Sequence, residues 1–162
     1  MEIIYRYASS PMTVIMAVSA ANTDIAISDG LKVAKQLDPE GERTIGVLTK
    51  IDIMDEGVDA LDLIQGKYFP LKLGYVGVVC RSQKDIMSGK PIDLALKAEQ
   101  HYFSSSPVYA PFAHRLGIKY LSTTLNTLIV RHIKQNLPKI RSKINAMLFE
   151  KEKEMRALNV VE

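Results

Sequence analysis

The chain has 162 residues, of which 47% are hydrophobic and 24% are charged. This composition is sufficient for an ordinary globular domain, and it excludes a disordered tail and a collagen-like chain. The single cysteine, Cys80, excludes an internal disulfide and a cysteine-based zinc site, so we expect a reducing, cytoplasmic setting.

The net charge of +3 is unevenly distributed along the chain. Residues 1–60 contain five basic and ten acidic side chains, whereas residues 61–162 contain sixteen basic and eight acidic ones. Five Lys or Arg residues and no acidic residue lie between Arg131 and Phe149. Such a segment is either a solvated helix face or a contact surface for anionic lipid or an acidic partner.

Three short apolar runs predict strands that are buried on both faces. They are Met12–Val18, Thr44–Leu48 and Tyr75–Val79. Helices are predicted around them, over about Gly30–Leu37, Val58–Ile64 and Ile92–Phe103. This alternation predicts an α/β fold with a parallel sheet and flanking helices. Ligands bind beyond the carboxyl ends of such strands, which directs attention to three loops: Ser19–Asp29, Thr49–Gly57 and Cys80–Pro91.

The last third of the chain is typical of long helices. Apolar residues recur at helical spacing from Leu121 to Met155, and Pro138 interrupts the pattern. Because proline removes a backbone donor, we predict a bend at Leu137–Pro138, followed by a second helix.

The loop after the second strand contains the sequence Thr49-Lys50-Ile51-Asp52. An ionised aspartate can accept hydrogen bonds from both N1–H and the exocyclic amine of guanine, a donor pair that adenine lacks. The alkyl part of Lys50 can lie along the base plane, and Thr49 can tie the loop to its neighbours. This interpretation requires Asp52 to lie at the end of the strand and outside a regular helix.

The loop after the third strand has the sequence Cys80-Arg81-Ser82-Gln83. A GTPase places its second base-contacting loop at this position. Its backbone N–H groups would face the base oxygen, and Arg81 could cover the base or the ribose. The alternative is that Arg81 and Lys84 are solvent-facing loop charges.

Three longer segments carry a family resemblance: Ala17–Lys35, Leu37–Asp59 and Gly74–Ile86. They resemble the corresponding segments of dynamin-family large GTPases, and the similarity runs from about residue 10 to residue 150. It implies a partial P-loop-GTPase-type sheet followed by a long C-terminal helix. Residues 1–137 would be the C-terminal portion of the GTPase domain, and residues 138–162 the start of the bundle signalling element, with Pro138 as the hinge.

The resemblance also implies roles for individual residues. The guanine-binding set would be Thr49, Lys50, Asp52, Asp55, Cys80, Arg81, Ser82 and Gln83. Cys80 replaces the asparagine common in the classical dynamins, so a side-chain contact from this position is not expected to be equivalent. Asn22 and Asp24 match the loop that reaches across a GTPase-domain dimer, and the alternative for Asp24 is a helix cap.

The sequence contains no G-x-x-x-x-G-K-[S/T] phosphate loop and no recognisable switch threonine. Asp38-Pro39-Glu40-Gly41 fits D-x-x-G formally, but it follows a helix and is interpreted as a turn. We therefore expect a partial chain with no catalytic residue and no metal site of its own. GTP or GDP with Mg²⁺ would be the ligands of the intact protein, and none is expected bound to this fragment.

The first functional hypothesis is a GTPase that drives membrane fission or remodelling, cytoplasmic and peripheral at membranes. The resemblance adds microtubule association as a candidate interaction. The alternative is a helical self-assembly or interaction module without nucleotide binding, and an ATP- or nucleic-acid-binding α/β domain is a third option. An incomplete sheet has an exposed edge, so we expect dimerisation or domain exchange. We expect no nucleic-acid partner.

Overall fold

A computed structural model describes residues 2–55 and 57–159 of the chain. The helices are α1 (Glu2–Ala8), α2 (Asp29–Leu37), α3 (Leu61–Ile64), α4 (Gln83–Met87), α5 (Ile92–Ser105) and α6 (Gly117–Asn159). The strands are β1 (Ile15–Ala20), β2 (Thr44–Thr49) and β3 (Tyr75–Gly77). Single 3-10 segments occur at Ile25–Ile27, Ile51–Ile53 and Ala110–Arg115.

The three strands form one parallel sheet in the order β1-β2-β3. Ile15 pairs with Thr44 at the start of β1, and Gly46 pairs with Tyr75 at the start of β3. All residues of β2 except the last are buried, which explains its continuous apolar sequence. The predicted α/β class with flanking helices and a long C-terminal helix is confirmed.

Residues of α2, the sheet and α5 form the core of this sheet region. The largest side chains in it that are almost fully buried include Leu31, Ile45, Leu48, Ile51 and Phe103. Tyr102 and Tyr109 pack around Phe103, with ring centroids 5.3 and 5.8 Å from its own. These tyrosines are therefore packing residues.

The turn between α2 and β2 is organised by Asp38, which is only 8% exposed. Its carboxylate accepts hydrogen bonds from the backbone N–H groups of Glu42 and Arg43 and from the Thr44 hydroxyl, at 3.1, 3.0 and 2.6 Å. Burial acts to raise the pKa of Asp38, but these hydrogen bonds outweigh it and leave the pKa lowered. The interpretation of this D-x-x-G sequence as a turn is confirmed.

Two predictions about helices and loops were wrong. The helix predicted from Val58 begins only at Leu61, and the loop expected at Arg81–Pro91 contains the short helix α4. Helix α6 is continuous through Pro138, so the two predicted helices form one helical segment, and the bend at Leu137–Pro138 stays a prediction. Proline has a φ angle that suits a helix, and its missing N–H removes one hydrogen bond, so the helix can continue on both sides.

The chain divides into two compact units, residues 1–125 and 126–162. The first contains the sheet, and the second contains the remainder of α6. Most apolar side chains of the second unit are exposed, including Ile133, Ile144 and Met147 at 57%, 59% and 56%, and so are its described Lys and Arg side chains. The functional boundary at Pro138 stays a prediction.

Candidate functional site

The carboxyl ends of β1 and β2 are joined directly by hydrogen bonds. The N–H of Ala21 donates to the carbonyl of Thr49 at 2.8 Å, and the Thr49 hydroxyl donates to the carbonyl of Ser19 at 3.3 Å. Thr49 therefore ties the loop that follows β2 to the neighbouring strand, as expected from the sequence.

Asp52 lies three residues beyond the end of β2, and its side chain is exposed. The segment is not an irregular loop throughout, because Ile51–Ile53 forms one 3-10 turn, closed by a bond of 3.3 Å from the N–H of Ile53 to the carbonyl of Lys50. A turn of three residues is not a regular helix, and it leaves Asp52 at the edge of the sheet where the guanine-binding interpretation requires it.

Lys50 is in the left-handed conformation, with a φ angle of 60°, and it is the only described non-glycine residue with positive φ. A residue with a Cβ adopts this conformation at a cost of roughly 1–2 kcal/mol. Such strain is common at binding sites, where the surrounding structure holds it in place. Lys50 is thereby the residue that turns the chain from β2 into the 3-10 segment.

Ile51 anchors the turn in the core, where it is 2% exposed. Its Cδ1 lies against Gly77 of β3, so close that a Cβ on residue 77 would be 2.4 Å away. The hydroxyl of Tyr102 in α5 also donates to the Ile51 carbonyl at 3.2 Å. These contacts hold the turn that carries Asp52 against β3 and α5.

The loop after β3 lies close to this turn. Desolvation by the surrounding protein raises the pKa of the Cys80 thiol, and the carboxylates of Glu99 and Asp52 raise it further. The backbone brings the two predicted base loops close together, because the N–H of Val78 donates to the carbonyl of Leu48 at 2.8 Å and Ile51 packs against Gly77. Cys80 itself is exposed.

The polar side chains that follow Cys80 are engaged within their own loop. Ser82 is the N-cap of α4 and forms a reciprocal capping box with Asp85. The guanidinium of Arg81 donates to the Lys90 carbonyl at 3.1 Å, and Gln83 is exposed in the first turn of α4. The hydrogen bond that the Ser82 backbone N–H donates to the Asp85 carboxylate, together with the bond from the Lys90 ammonium, lowers the pKa of Asp85.

The predicted dimer-loop residues lie after β1. Asn22 and Asp24 are exposed, and Asp24 accepts a hydrogen bond of 2.9 Å from the N–H of Ala26. Asp24 is thus the cap of the 3-10 segment Ile25–Ile27, which was its alternative interpretation. It lines an open cleft of about 640 Å³ together with Asp59 and Asp62.

The remaining predicted residue after β2, Asp55, is exposed beyond the 3-10 turn. Across residues 2–55 and 57–159, no three His, Cys, Asp or Glu side chains are placed to hold a metal ion. None of the helices in these ranges combines the length and the apolar character that a membrane span requires.

Sequence reasoning missed Glu99, a charged residue of α5 that is 4% exposed. Glu99 lies four residues before the buried Phe103, so the period of the helix places both on one face. This helical spacing was the sequence signal that could have identified Glu99 as a buried residue.

The fold and the site define an α/β chain whose polar loops converge at the carboxyl edge of a parallel sheet, where such folds bind ligands. Family models described as "Dynamin family" and "Dynamin central region" match residues 1–51 and 59–162. The chain belongs to the dynamin family.

Several curated proteins are similar to almost the whole chain. Vacuolar protein sorting-associated protein 1 of Schizosaccharomyces pombe is 47% identical over 157 residues, which are 97% of this chain and 23% of that protein. Human Dynamin-2 is 49% identical over 154 residues, 95% of this chain and 18% of that protein. Dynamin-related protein DNM1 of Saccharomyces cerevisiae is 45% identical over 154 residues, which are 95% of this chain and 20% of that protein. The chain thus spans about a fifth of the length of these relatives.

Proposed function

We propose that this chain is the guanine-recognising part of a dynamin-like GTPase. The observation that carries the proposal is the exposed carboxylate of Asp52, held at the end of β2 on a turn that Ile51 anchors against Gly77 of β3. Family membership supports the same assignment. Asp52 would accept from N1–H and the exocyclic amine of guanine, two donors that adenine does not present together.

Lys50 and the loop after β3 would complete the base site. The stem of the exposed Lys50 would cover one face of the purine ring. The Ser82 hydroxyl and the Arg81 guanidinium already have partners within their loop. Recognition by this loop would therefore fall to the backbone groups of Cys80 and Arg81, which do not depend on the Asn-to-Cys departure.

GTP hydrolysis would require groups that this sequence does not contain. Phosphate and Mg²⁺ contacts supply most of the catalytic electrostatics in GTPases, and the chain has neither a phosphate loop nor a described metal-ligand cluster. In particular, the sequence lacks the phosphate-loop Ser or Thr that holds Mg²⁺ in such enzymes. We therefore expect no measurable turnover of GTP by the chain alone; hydrolysis, and the membrane remodelling coupled to it, would belong to a longer protein.

Two further roles are part of this proposal. Asn22 and Asp24 would contact a partner GTPase domain, which their exposure after β1 allows. Pro138 would be the hinge at which residues 138–162 begin the bundle signalling element, because the helix lacks a backbone donor there. Microtubule association stays a prediction from the family resemblance.

Chemical-shift mapping of the isotope-labelled chain tests the base site, since it detects binding even at millimolar affinity. Guanosine monophosphate should shift the amide signals of residues 49–55 and 78–83, and adenosine monophosphate at the same concentration should leave them in place. Equal responses to both nucleotides, or guanosine shifts confined to other parts of the chain, would contradict the proposal.

Self-association is a second candidate function, favoured by the edge of β1. The N–H groups of Ile15 and Ala21 donate to carbonyls of the β2 segment. Because backbone groups point alternately to the two sides of a strand, those of Met16, Val18 and Ala20 point away from β2, to the free edge of the sheet. Met16 and Val18 are 49% and 50% exposed. The strand has no charge or proline to prevent pairing with another copy of the chain.

Size-exclusion chromatography coupled to multi-angle light scattering tests the self-association. We expect the unaltered chain to form dimers at high concentration, and Val18→Lys to shift it toward the monomer, because lysine on an edge strand opposes pairing. The exposed Val58→Lys is a control outside the strand. If the unaltered chain is monomeric at every concentration, the proposal is contradicted.

A further inference from the structure

The buried carboxylate of Glu99 joins two separate elements of the fold. Its Oε1 accepts a hydrogen bond of 2.8 Å from the N–H of Val79, and its Oε2 accepts one of 2.9 Å from the N–H of Ile118. Val79 immediately precedes Cys80 in the loop after β3, and Ile118 is the second residue of α6. One side chain of α5 therefore holds both segments.

A buried carboxylate is retained only if its hydrogen bonds offset the loss of hydration. Burial raises the pKa of Glu99, while the bonds from the Val79 and Ile118 N–H groups act in the opposite direction. Each bond is charge-assisted and joins a fixed backbone group to one oxygen, which makes the geometry of one segment dependent on that of the other.

Gly117 shows how closely the start of α6 fits this carboxylate. Its φ angle is +88°, a conformation that favours glycine, and a Cβ at this position would be 3.1 Å from Oε2 of Glu99. Any larger residue at position 117 would therefore press on the same oxygen that binds Ile118.

We propose that Glu99 is a positioning residue that couples the loop after β3 to the first turn of α6. A displacement of either segment moves the carboxylate and, through its other oxygen, the second segment. The coupling gives the candidate base loop a direct connection to the start of the long helix. Only the role of that loop in guanine binding rests on the proposed function; the coupling itself does not.

Gly117→Ala in the 162-residue chain tests the coupling from the α6 side, and the only cysteine of the sequence provides the probe on the other side. We expect exchange of the Val79 and Ile118 amide protons to become about tenfold faster or more, as for loss of a hydrogen bond to a charged group. The pH profile of Cys80 alkylation should move to lower pH as the loop becomes more hydrated. A role confined to α6 would leave both Val79 exchange and the Cys80 profile unchanged.

Gly57→Ala is the matched control, because Gly57 has a φ angle of +83° and no atom within 4 Å of the added Cβ. It should carry a similar backbone strain without any effect at Val79, Cys80 or Ile118. Denaturation curves on all variants would separate local opening from loss of the fold.

Glu99→Gln tests the same contact from the other direction and keeps the shape of the side chain. Its amide retains one acceptor oxygen, so it can accept from Val79 or Ile118 but not from both through separate oxygens. Faster exchange at both amides supports the coupling. If Gly117→Ala affects only residues near 117, or Glu99→Gln affects only one segment, the coupling is overturned. No nucleotide enters these measurements, so failure of the guanine-binding proposal would leave their outcome unchanged.

Discussion

Ile51 occupies the space beside Gly77, and a Cβ on residue 77 would be 2.4 Å from its Cδ1. The absence of a side chain in β3 is therefore what allows Ile51 to enter the core. Since Asp52 follows Ile51 directly, the position of the candidate base-reading carboxylate depends on a glycine in another strand.

Gly77→Ala should displace Ile51 and the 3-10 turn. Overpacking of this kind costs about 1–3 kcal/mol, so we expect the free energy of unfolding in urea to fall by that amount. Gly30→Ala is the control, because its added Cβ would meet the nearest atom at an ordinary 3.5 Å. Equal unfolding free energies for Gly77→Ala and the unaltered chain would show that the turn is not held in this way.

Lys50 should show opposite effects on stability and on base binding. Lys50→Gly removes the cost of a positive φ angle, whereas Lys50→Ala keeps it, so the glycine variant should be more stable by about 1 kcal/mol. Both variants lose the stem proposed to cover the purine, and both should respond more weakly to guanosine monophosphate. Denaturation and shift titrations measure the two effects. A glycine variant less stable than the alanine variant would contradict the strain at this position.

Asp38→Asn should destabilise the turn before β2. The amide cannot accept all three hydrogen bonds made by the carboxylate, and we expect a loss of about 2–4 kcal/mol at neutral pH. Glu40→Gln, in an exposed position of the same turn, should change stability by less than about 0.5 kcal/mol.

The pH dependence of stability provides a separate test of Asp38. Its pKa is lowered in the folded state, so its contribution is fully present above the ordinary value of 3.8 and is lost as the pH falls through the folded value. The difference in stability between the unaltered chain and Asp38→Asn should therefore shrink below about pH 4. A difference that stays constant to lower pH would mean that Asp38 is not the titrating group.

Strand β2 and the position of the polar segment that follows it could be predicted because their signals are local. Continuous apolar runs such as Thr44–Leu48 have few alternatives in an α/β chain, and Thr49 and Asp52 follow from the end of that run. Helix α4 was missed although Ser82 and Asp85 have the spacing of a capping box, a signal that was present in the sequence.

Contacts between distant segments could not be predicted in the same way. The fit of Ile51 to Gly77 and the bonds of Glu99 to Val79 and Ile118 join residues that are 19 or more positions apart. A glycine in a strand or a glutamate in a helix does not identify its partner.

The most direct test of the guanine-reading role is whether Asp52→Asn changes the purine preference from guanine to xanthine. Asparagine can accept from N1–H and donate to a carbonyl at C2, the pattern that xanthine presents in place of the amine of guanine. In shift titrations of residues 49–55, the unaltered chain should respond to guanosine monophosphate, and the variant should respond to xanthosine monophosphate. Asp93→Asn, the same charge change at an exposed position of α5, should keep the guanosine response. If Asp52→Asn leaves the guanosine response intact and gains none to xanthosine, Asp52 does not read the base.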